Sequence, residues 1–346
     1  MGSAANESSL RFWESEESLK ALLSWYREQG RQLWWRNTRD PYTIWVTETL
    51  LQQTRISQAA ATIERFLARF PSLEKLASAS LEAVLEIWQG LGYYQRAHNL
   101  YKTALIVWEK GGFEPLLKAH DPLKVLLSLS GIGDYTARAI LCFCGHSDYL
   151  PVDGNVLRVL SRLTADATPS SQRKVFQQKA DILPPSWRTR EVGYAFMDLA
   201  QLICTPKRPR CLLCPLQRVC KALSDGEVLR YPVRPPARPK PTQHFLFYLS
   251  ANAEGVWLEK RTNQGLWGGL WCLPFTVLQE APSTPPTFMH EFTHFQLIGH
   301  LERLKDPLPH TSLIPWKDLR QYGLPAPLRR LLTREAETYG ATLSTE

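Results

Sequence analysis

LLSLSGIGDYTARAILCF, residues 126–143, decides the fold of the first part of the chain. An apolar helical run reaches a turn at Gly131, Ile132 and Gly133, and a second helix is predicted to start around Tyr135. Glycine at 131 and 133 permits positive φ and close backbone approach. Free N–H groups at the start of the second helix suit a phosphate contact that reads no sequence. A plain helix–helix turn is the alternative explanation of this stretch.

The hydrophobic pattern of the chain changes at a proline-rich segment, residues 230–241. This segment holds five prolines, which predicts a stiff linker. Before it, apolar residues recur every three or four positions from Ser18 to about Leu223 and predict helices, with Ser72 and Ser80 as N-caps. After it, residues 244–251, 255–261 and 292–304 are aromatic or β-branched runs typical of strands, and residues 263–274 read as a Gly/Trp-rich loop. We therefore predict an all-α domain over residues 8–228, a linker over 229–243 and a smaller α+β domain over 244–346.

Composition describes a folded, soluble protein with 44% hydrophobic and 21% charged residues. The net charge of +8 favours a polyanionic partner. Seven cysteines, four of them clustered, indicate a reducing compartment. No signal peptide or membrane-spanning stretch is evident, so we expect a cytoplasmic protein that does not bind membranes.

The clustered cysteines are separated by six, two and five residues: Cys204, Cys211, Cys214 and Cys220. Four thiolates in one short loop suit a metal centre, and the spacing alone leaves zinc and an iron–sulfur cluster open. Such a closed site holds a loop, so the chemistry is expected elsewhere. The remaining cysteines are expected to be buried thiols: Cys142, Cys144 and Cys272.

Two carboxylic residues are candidates for acid–base chemistry because their surroundings would push their pKa values apart. Glu48 shares a helical face with apolar neighbours such as Ile44 and Trp45, and desolvation there would raise its pKa. A solvent-facing helix glutamate is the alternative. Asp153 follows an apolar run and is placed to cap the helix that starts near Asn155. Its role is either that cap alone or also that of an anion that stabilises a positively charged intermediate.

Several motifs together resemble a known family. Residues 129–141 resemble a helix-hairpin-helix motif, residues 151–160 resemble the catalytic-aspartate segment of helix-hairpin-helix DNA glycosylases, and the cysteine spacing matches that superfamily's iron–sulfur loop. VTETLLQQT (46–54), GLGYYQRAHNL (90–100) and FTHFQL (292–297) narrow the resemblance to MutY-type adenine DNA glycosylases. It runs from about residue 34 to 220 and resumes in the C-terminal domain at residues 265–274 and 292–297.

This resemblance implies a mainly α fold. The helical domain would hold the helix-hairpin-helix over about 117–143 and an iron–sulfur loop over 204–220 with a [4Fe–4S] cluster. The loop would turn cations toward phosphates: Lys207, Arg208 and Arg210. The smaller domain would be Nudix-like and would recognise 8-oxoguanine, without the hydrolase signature. The implied partner is double-stranded DNA with adenine opposite 8-oxoguanine or guanine, bound by a monomer of bacterial cytoplasmic type.

The resemblance also implies catalytic roles. Glu48 would protonate the adenine, Asp153 would stabilise the oxocarbenium-like sugar, and Asn155 would orient the aspartate and water. Tyr135 stands where the endonuclease III branch has a lysine that forms a Schiff base, so strand cleavage is not expected. Tyr194 stands where the family often has Glu or Gln.

Base extrusion requires further contacts, which the resemblance assigns residue by residue. Trp35 and Arg36 would wall the adenine pocket. Leu51, Thr54 and Leu91 would pack that pocket or touch the opposite base, and core packing is the alternative for Leu51 and Leu91. Gln53 and Tyr93 would intercalate, Gly131 and Gly133 would approach a phosphate, and Phe292, Thr293 and His294 would read 8-oxoguanine. For this last loop, a strand with a satisfied histidine is the alternative.

Two other functions stay open at this point. An endonuclease III-like glycosylase/lyase is disfavoured by Tyr135 and by the C-terminal domain. A non-catalytic iron–sulfur DNA-binding protein is disfavoured because Glu48 and Asp153 are both present.

Overall fold

The computed structural model describes residues 13, 15–54, 56–89, 91–146, 148–235, 239–262, 265–292 and 294–341. The chain divides into two compact units, Met1–Ala79 with Asn99–Pro236, and Ser80–His98 with Ala237–Glu346. The boundaries predicted after residues 228 and 243 stay predictions. Within the described ranges, no helix is long and apolar enough to cross a membrane.

Helices build the chain from Glu16 to Ser224, as the apolar periodicity predicts. They are α1 (Glu16–Gln29), α2 (Pro41–Leu51), α3 (Ile56–Arg69), α4 (Leu73–Ala77), α5 (Leu81–Ile87), α6 (Gln95–Glu109), α7 (Phe113–Leu117), α8 (Pro122–Leu127), α9 (Asp134–Cys144), α10 (Gly154–Thr164), α11 (Arg173–Asp181), α12 (Arg190–Leu202) and α13 (Lys221–Ser224). Short 3-10 helices lie at Trp34–Arg36, Pro185–Trp187, Cys211–Leu213, Gln217–Val219 and Val228–Arg230.

Side-chain caps fix where several of these helices begin. The Ser72 hydroxyl accepts a hydrogen bond from the Lys75 N–H, and the Ser80 hydroxyl accepts one from the Ala83 N–H. Asp153 caps α10 in the same way. Each cap satisfies an N–H group that has no partner within its helix, which is worth about 1 kcal/mol. All three predicted caps are therefore confirmed.

The turn between α8 and α9 confirms one glycine prediction and corrects the other. Gly131 has φ 76°, and a Cβ there would lie 2.6 Å from Cβ of Asn99, so both the backbone angle and the space require glycine. Gly133 has φ −86°, so it does not use a positive φ; the space around a Cβ there is open, and its close approach to a phosphate stays a prediction. The second helix begins at Asp134, directly after Gly133.

A shared apolar core joins α1, α10 and α12. Buried residues from these helices include Leu22, Val156, Leu160, Phe196 and Leu199. Full burial of each large side chain contributes about 1.5–3 kcal/mol. The start of α10 and the inner face of α12, which carry functional candidates, are thus held on a packed scaffold.

The C-terminal part is an α+β domain, as predicted. Its strands are β1 (Thr242–Leu249), β2 (Gly255–Lys260), β3 (Trp271–Cys272), β4 (Phe275–Leu278), β5 (Phe288–Glu291), β6 (Gln296–Arg303) and β7 (Ser312–Pro315), followed by a 3-10 helix (Trp316–Gln321) and α14 (Ala326–Thr338). One sheet has the order β4-β1-β6-β5 and another β3-β2-β7. The β1–β6 pair is parallel and the other pairs are antiparallel. Sequence reasoning found β1, β2 and β6 and missed the four short strands, one of which, β3, lies within the predicted Gly/Trp-rich loop.

Candidate active site and nucleic-acid contacts

Glu48 lies on α2 and is 9% exposed, as its apolar neighbours predict. Burial raises its pKa from 4.5 to about 7, against the lowering effects of a hydrogen bond from Tyr135 and of the Arg36 charge. The nearby Asp153 charge raises it further. This carboxyl is therefore half protonated close to neutral pH, which suits a general acid.

Tyr135 is brought from α9 to this carboxyl. Its hydroxyl donates a 2.8 Å hydrogen bond to Oε2 of Glu48. Burial and the Glu48 charge hold the pKa of Tyr135 well above its ordinary value, so the phenol stays a neutral donor. The contact leaves Oε1 of Glu48 as the oxygen on which a transferable proton would sit.

Asp153 is held by the first turn of α10. Its Oδ1 accepts hydrogen bonds from the N–H groups of Asn155 (2.9 Å) and Val156 (2.7 Å). Its Oδ2 accepts a 2.7 Å hydrogen bond from the Asn155 side-chain amide. The predicted pairing of these two residues is confirmed, and it fixes the direction of the carboxylate.

Two arginines of α10 contact the cysteine loop, and one of them also contacts Asn155. Arg158 donates to Oδ1 of Asn155 at 3.2 Å and to the Cys204 carbonyl at 2.9 Å. Arg162, which is 2% exposed, donates to Sγ of Cys204 at 3.3 Å and to the carbonyls of Thr205 and Tyr231. One rigid helix therefore links Asp153 with the cysteine loop.

The four clustered cysteines line one cavity: Cys204, Cys211, Cys214 and Cys220. Within the described part of the chain, no three His, Cys, Asp or Glu side chains are arranged to hold one metal ion. Four thiolates around one cavity are a donor set that fits an iron–sulfur cluster. Lys207, Arg208 and Arg210 beside it are exposed, as predicted. Outside this loop, Cys142 and Cys272 are buried as expected, whereas Cys144 is only partly buried.

Trp35 and Arg36 lie on a 3-10 helix that α12 holds in place. Trp35 is 5% exposed. Arg190 donates to the carbonyls of Arg36 and Thr38. Four residues along α12, the Tyr194 ring lies 4.6 Å from the guanidinium carbon of Arg36. The face of α12 that holds the predicted pocket-wall segment therefore also approaches Glu48, through Tyr194.

Tyr194 does not extend as the Glu or Gln of the resembling family would. It is 6% exposed and stacks on Phe143, with ring centroids 4.0 Å apart. Burial, and next the Glu48 charge, raise its pKa. It is a neutral aromatic platform beneath Arg36.

The turn after α2 presents Gln53 to solvent. Gln53 has φ 56°, in the left-handed region that costs a side-chain-bearing residue about 1 kcal/mol. The N–H of Thr54 donates to the Leu51 carbonyl at 3.2 Å and closes the turn. Leu51 and Thr54 are themselves half-buried. The turn leaves the Gln53 side chain exposed, and its intercalating role stays a prediction.

Tyr93 has the same backbone feature in the 80–98 segment. Its φ is 49° and its side chain is 56% exposed. The Arg96 guanidinium carbon lies 5.7 Å from the Tyr93 ring and 5.3 Å from the Trp88 ring, and supports the exposed ring from below. Leu91 is half-buried beside it.

The predicted 8-oxoguanine-reading residues lie at the tip of the β5–β6 hairpin. The N–H of Phe292 donates to the Phe295 carbonyl at 2.9 Å, and the two rings stack with centroids 4.7 Å apart. His294 is exposed, so it is not the satisfied strand histidine of the alternative explanation. Thr293 lies outside the described residues.

The structure thus brings together the candidates that face Glu48: Arg36, Tyr135, Asp153 and Tyr194. Sequence reasoning missed Asp198 and Arg31. Asp198 is fully buried and accepts hydrogen bonds from the guanidinium groups of both Arg31 and Arg36. The available signal was the i, i+4, i+8 spacing of Arg190, Tyr194 and Asp198 on one helix face.

Comparison with known proteins identifies the family of this chain. Residues 46–185 match the family model of the HhH-GPD superfamily base excision DNA repair proteins, and residues 245–334 match a NUDIX domain. An adenine DNA glycosylase from Buchnera aphidicola (subsp. Acyrthosiphon pisum) is 31% identical over 340 residues, covering 90% of this chain and 95% of the relative. The Homo sapiens adenine DNA glycosylase is 32% identical, covering 85% of this chain and 62% of the relative.

Solved structures show the same helical fold. A thermostable thymine-DNA glycosylase superposes with a TM-score of 0.55 at 25% identity, over 64% of this chain and 99% of that one. A trapped endonuclease III–DNA covalent intermediate gives a TM-score of 0.50 at 17% identity, over 60% and 95%.

Fold, site and comparisons define a base excision DNA repair protein with a helix-hairpin-helix glycosylase domain and a Nudix-like domain, and it is a DNA glycosylase. Within that class, the chain belongs to the adenine DNA glycosylase family.

Proposed function

We propose that this enzyme hydrolyses the N-glycosidic bond of adenine opposite 8-oxoguanine, and also opposite guanine, and leaves an intact strand with an abasic site. The observation that carries the proposal is the buried Glu48 carboxyl, with a pKa of about 7, facing Asp153. A group that donates a proton beside a fixed carboxylate is the pair that glycosidic cleavage requires.

In the first step, Glu48 gives its proton to N7 of the extruded adenine, which turns the base into a leaving group. Tyr135 orients the carboxyl through Oε2. Trp35, Arg36 and the Tyr194 platform wall the pocket around the base. Because the acid is used in its protonated form, base release should weaken as the pH rises above about 7.

In the second step, Asp153 stabilises the cationic sugar left by the departing base. Its hydrogen bonds from Asn155 and the α10 backbone aim the carboxylate without neutralising it. The deprotonated Glu48 is then the base that activates the attacking water. Tyr135 has no amine with which to form a Schiff base, so the strand is not cleaved.

Residues of both compact units are proposed to hold and open the DNA. The turn at Gly131 and Gly133 and the start of α9 contact a phosphate, with open space for its approach beside Gly133. Gln53 and Tyr93 fill the gap left by the extruded base. Phe292 and His294, at an exposed hairpin tip, read 8-oxoguanine on the opposite strand.

Cys204, Cys211, Cys214 and Cys220 are proposed to hold a [4Fe–4S] cluster. The cluster would brace the loop that carries the exposed cations toward DNA phosphates. Cys214→Ser should lose iron and the broad visible absorption, whereas Cys144→Ser, outside the loop, should keep both. Zinc in the purified protein would refute the cluster. The enzyme is further proposed to act as a monomer in a bacterial-type cytoplasm.

One assay tests the reaction. A duplex with adenine opposite 8-oxoguanine is incubated with the enzyme and the strand is examined with and without alkali. Breakage after alkali alone supports the proposal. Breakage without alkali identifies a lyase, and an unbroken strand under both conditions identifies a DNA-binding protein without this activity.

Substitution of the acid separates catalysis from binding. Glu48→Gln keeps the shape but lacks the acidic proton, so it should bind the duplex and release no adenine. Glu64→Gln, on the exposed face of α3, is the matched control and should behave as the parent enzyme. Normal turnover by Glu48→Gln would contradict the acid role.

A further inference from the structure

Asp198 is a fully buried carboxylate that the proposed reaction does not use. It lies on α12. The N–H and Nε of Arg31 donate to it at 2.7 Å each, and Nη1 and Nη2 of Arg36 donate at 2.8 and 2.9 Å. Burial alone would raise the pKa of Asp198, but the Arg36 bonds and charge hold it below its ordinary value. Asp198 is therefore an anion at neutral pH.

Two residues of α12 contact the guanidinium group of Arg36. The Tyr194 ring lies 4.6 Å from its guanidinium carbon, and Asp198 binds both of its terminal nitrogens. The side chain of Arg36 is 8% exposed, so water screens its charge weakly. The electrostatic effect of Arg36 on Glu48 therefore depends on how much of the Arg36 charge is offset by the negative charge of Asp198.

The titratable or charged groups that face Glu48 are Arg36 on the 3-10 helix, Tyr135 and Cys142 on α9, Asp153 at the start of α10, and Tyr194 on α12. Among these, Arg36 is the cation, and it favours the carboxylate form of Glu48.

We propose that Asp198 is a positioning residue for the acid step: it fixes Arg36 beside Glu48 and cancels enough of its charge for Glu48 to keep a proton at neutral pH. The inference rests on the proposed role of Glu48 as the acid. It assigns to a buried ion pair a function beyond stability.

Removing the negative charge tests the proposal. In Asp198→Asn, the uncancelled Arg36 charge should favour ionised Glu48 and move the midpoint of the pH–rate profile for single-turnover adenine release down by about one pH unit. Release should then be about tenfold slower at pH 8 and nearly unchanged at pH 5.5. Asp198→Glu, which keeps the charge, should restore the midpoint. An equal loss at every pH would mean a merely structural role and would overturn the proposal.

The effect must pass through Arg36. Arg36→Gln should move the midpoint upward, and adding Asp198→Asn to it should cause no further movement. A midpoint that stays in place in Arg36→Gln would refute the proposal even if Asp198→Asn failed to fold. A shift of equal size in both backgrounds would refute it as well.

A substrate-independent measurement separates this proposal from the proposed reaction. With ¹³C-carboxyl-labelled glutamate, the infrared band of Glu48, assigned by its loss in Glu48→Gln, can be titrated in the whole enzyme. If the titration midpoint of Glu48 lies at lower pH in Asp198→Asn, the inference is supported even if adenine is not the base released. If the midpoint is the same in Asp198→Asn and in the parent enzyme, the inference is overturned even if adenine is released.

Discussion

Burial of the catalytic carboxyl should cost the enzyme stability, and Glu48→Gln should recover it. An unfolded chain loses this proton above its ordinary pKa of 4.5, whereas the folded enzyme retains it until about 7. The folded state is therefore penalised progressively as the pH rises from about 4.5 to 7, and the penalty is constant above that. A tenfold difference in proton affinity corresponds to about 1.4 kcal/mol, so the full penalty is about 3 kcal/mol. Glutamine does not ionise and keeps a side-chain oxygen for the Tyr135 hydroxyl.

The measurement compares Glu48→Gln with the parent enzyme by urea denaturation, followed by far-ultraviolet circular dichroism of the helices. The gain in unfolding free energy should be about 2 to 3 kcal/mol larger at pH 8 than at pH 5, since effects of the substitution that do not depend on pH cancel in this difference. Glu64→Gln, which alters an exposed side chain, should show no comparable pH dependence. A difference that is the same at both pH values would refute the reasoning, because it would mean that Glu48 ionises equally in folded and unfolded chains.

Three further outcomes follow from the same geometry. The rate of adenine release should fall about tenfold for each pH unit above about 7, and a rate that does not change between pH 6 and 9 would exclude Glu48 as the acid. Tyr135→Phe removes a hydrogen bond that lowers the Glu48 pKa, so the pH–rate midpoint should move upward; a downward movement would contradict the assigned contact. Gly131→Ala should destabilise the enzyme by at least about 1 kcal/mol in thermal or urea denaturation, because φ is 76° and Asn99 blocks a Cβ, whereas Gly133→Ala, with neither obstacle, should be close to neutral.

Local sequence was sufficient wherever a few neighbouring residues set the structure. The cap at Asp153 uses N–H groups two and three residues further along, and the burial of Glu48 follows from the helical face that it shares with Ile44 and Trp45. The long strands were likewise visible as aromatic and β-branched runs. Strands of two to four residues were not, because so short a run carries no period.

Contacts between distant segments could not be predicted in the same way. Arg36 and Asp198 are separated by 162 positions, and neither has a local pattern that predicts the other. The glycine at 133 illustrates the opposite error, since the residue type alone suggested a positive φ that the turn does not use. Residue identity indicates what a position permits, and only the packed chain determines which of those options is realised.

The two carboxyl groups at the centre of the site differ in where their contacts come from. Those of Asp153 come from neighbouring residues, whereas those of Glu48 come from segments that are distant in sequence. Asp153 takes its hydrogen bonds from the first turn of its own helix, so any fold that keeps α10 keeps an oriented carboxylate. Glu48 depends on burial, on Tyr135 from α9 and on Arg36, whose charge is in turn set by α12. Small displacements between these segments should therefore change the acid before they change the anion. We expect substitutions in the packing between α2, α9 and α12 to shift the pH dependence of base release, and substitutions within the first turn of α10 to lower its rate at every pH.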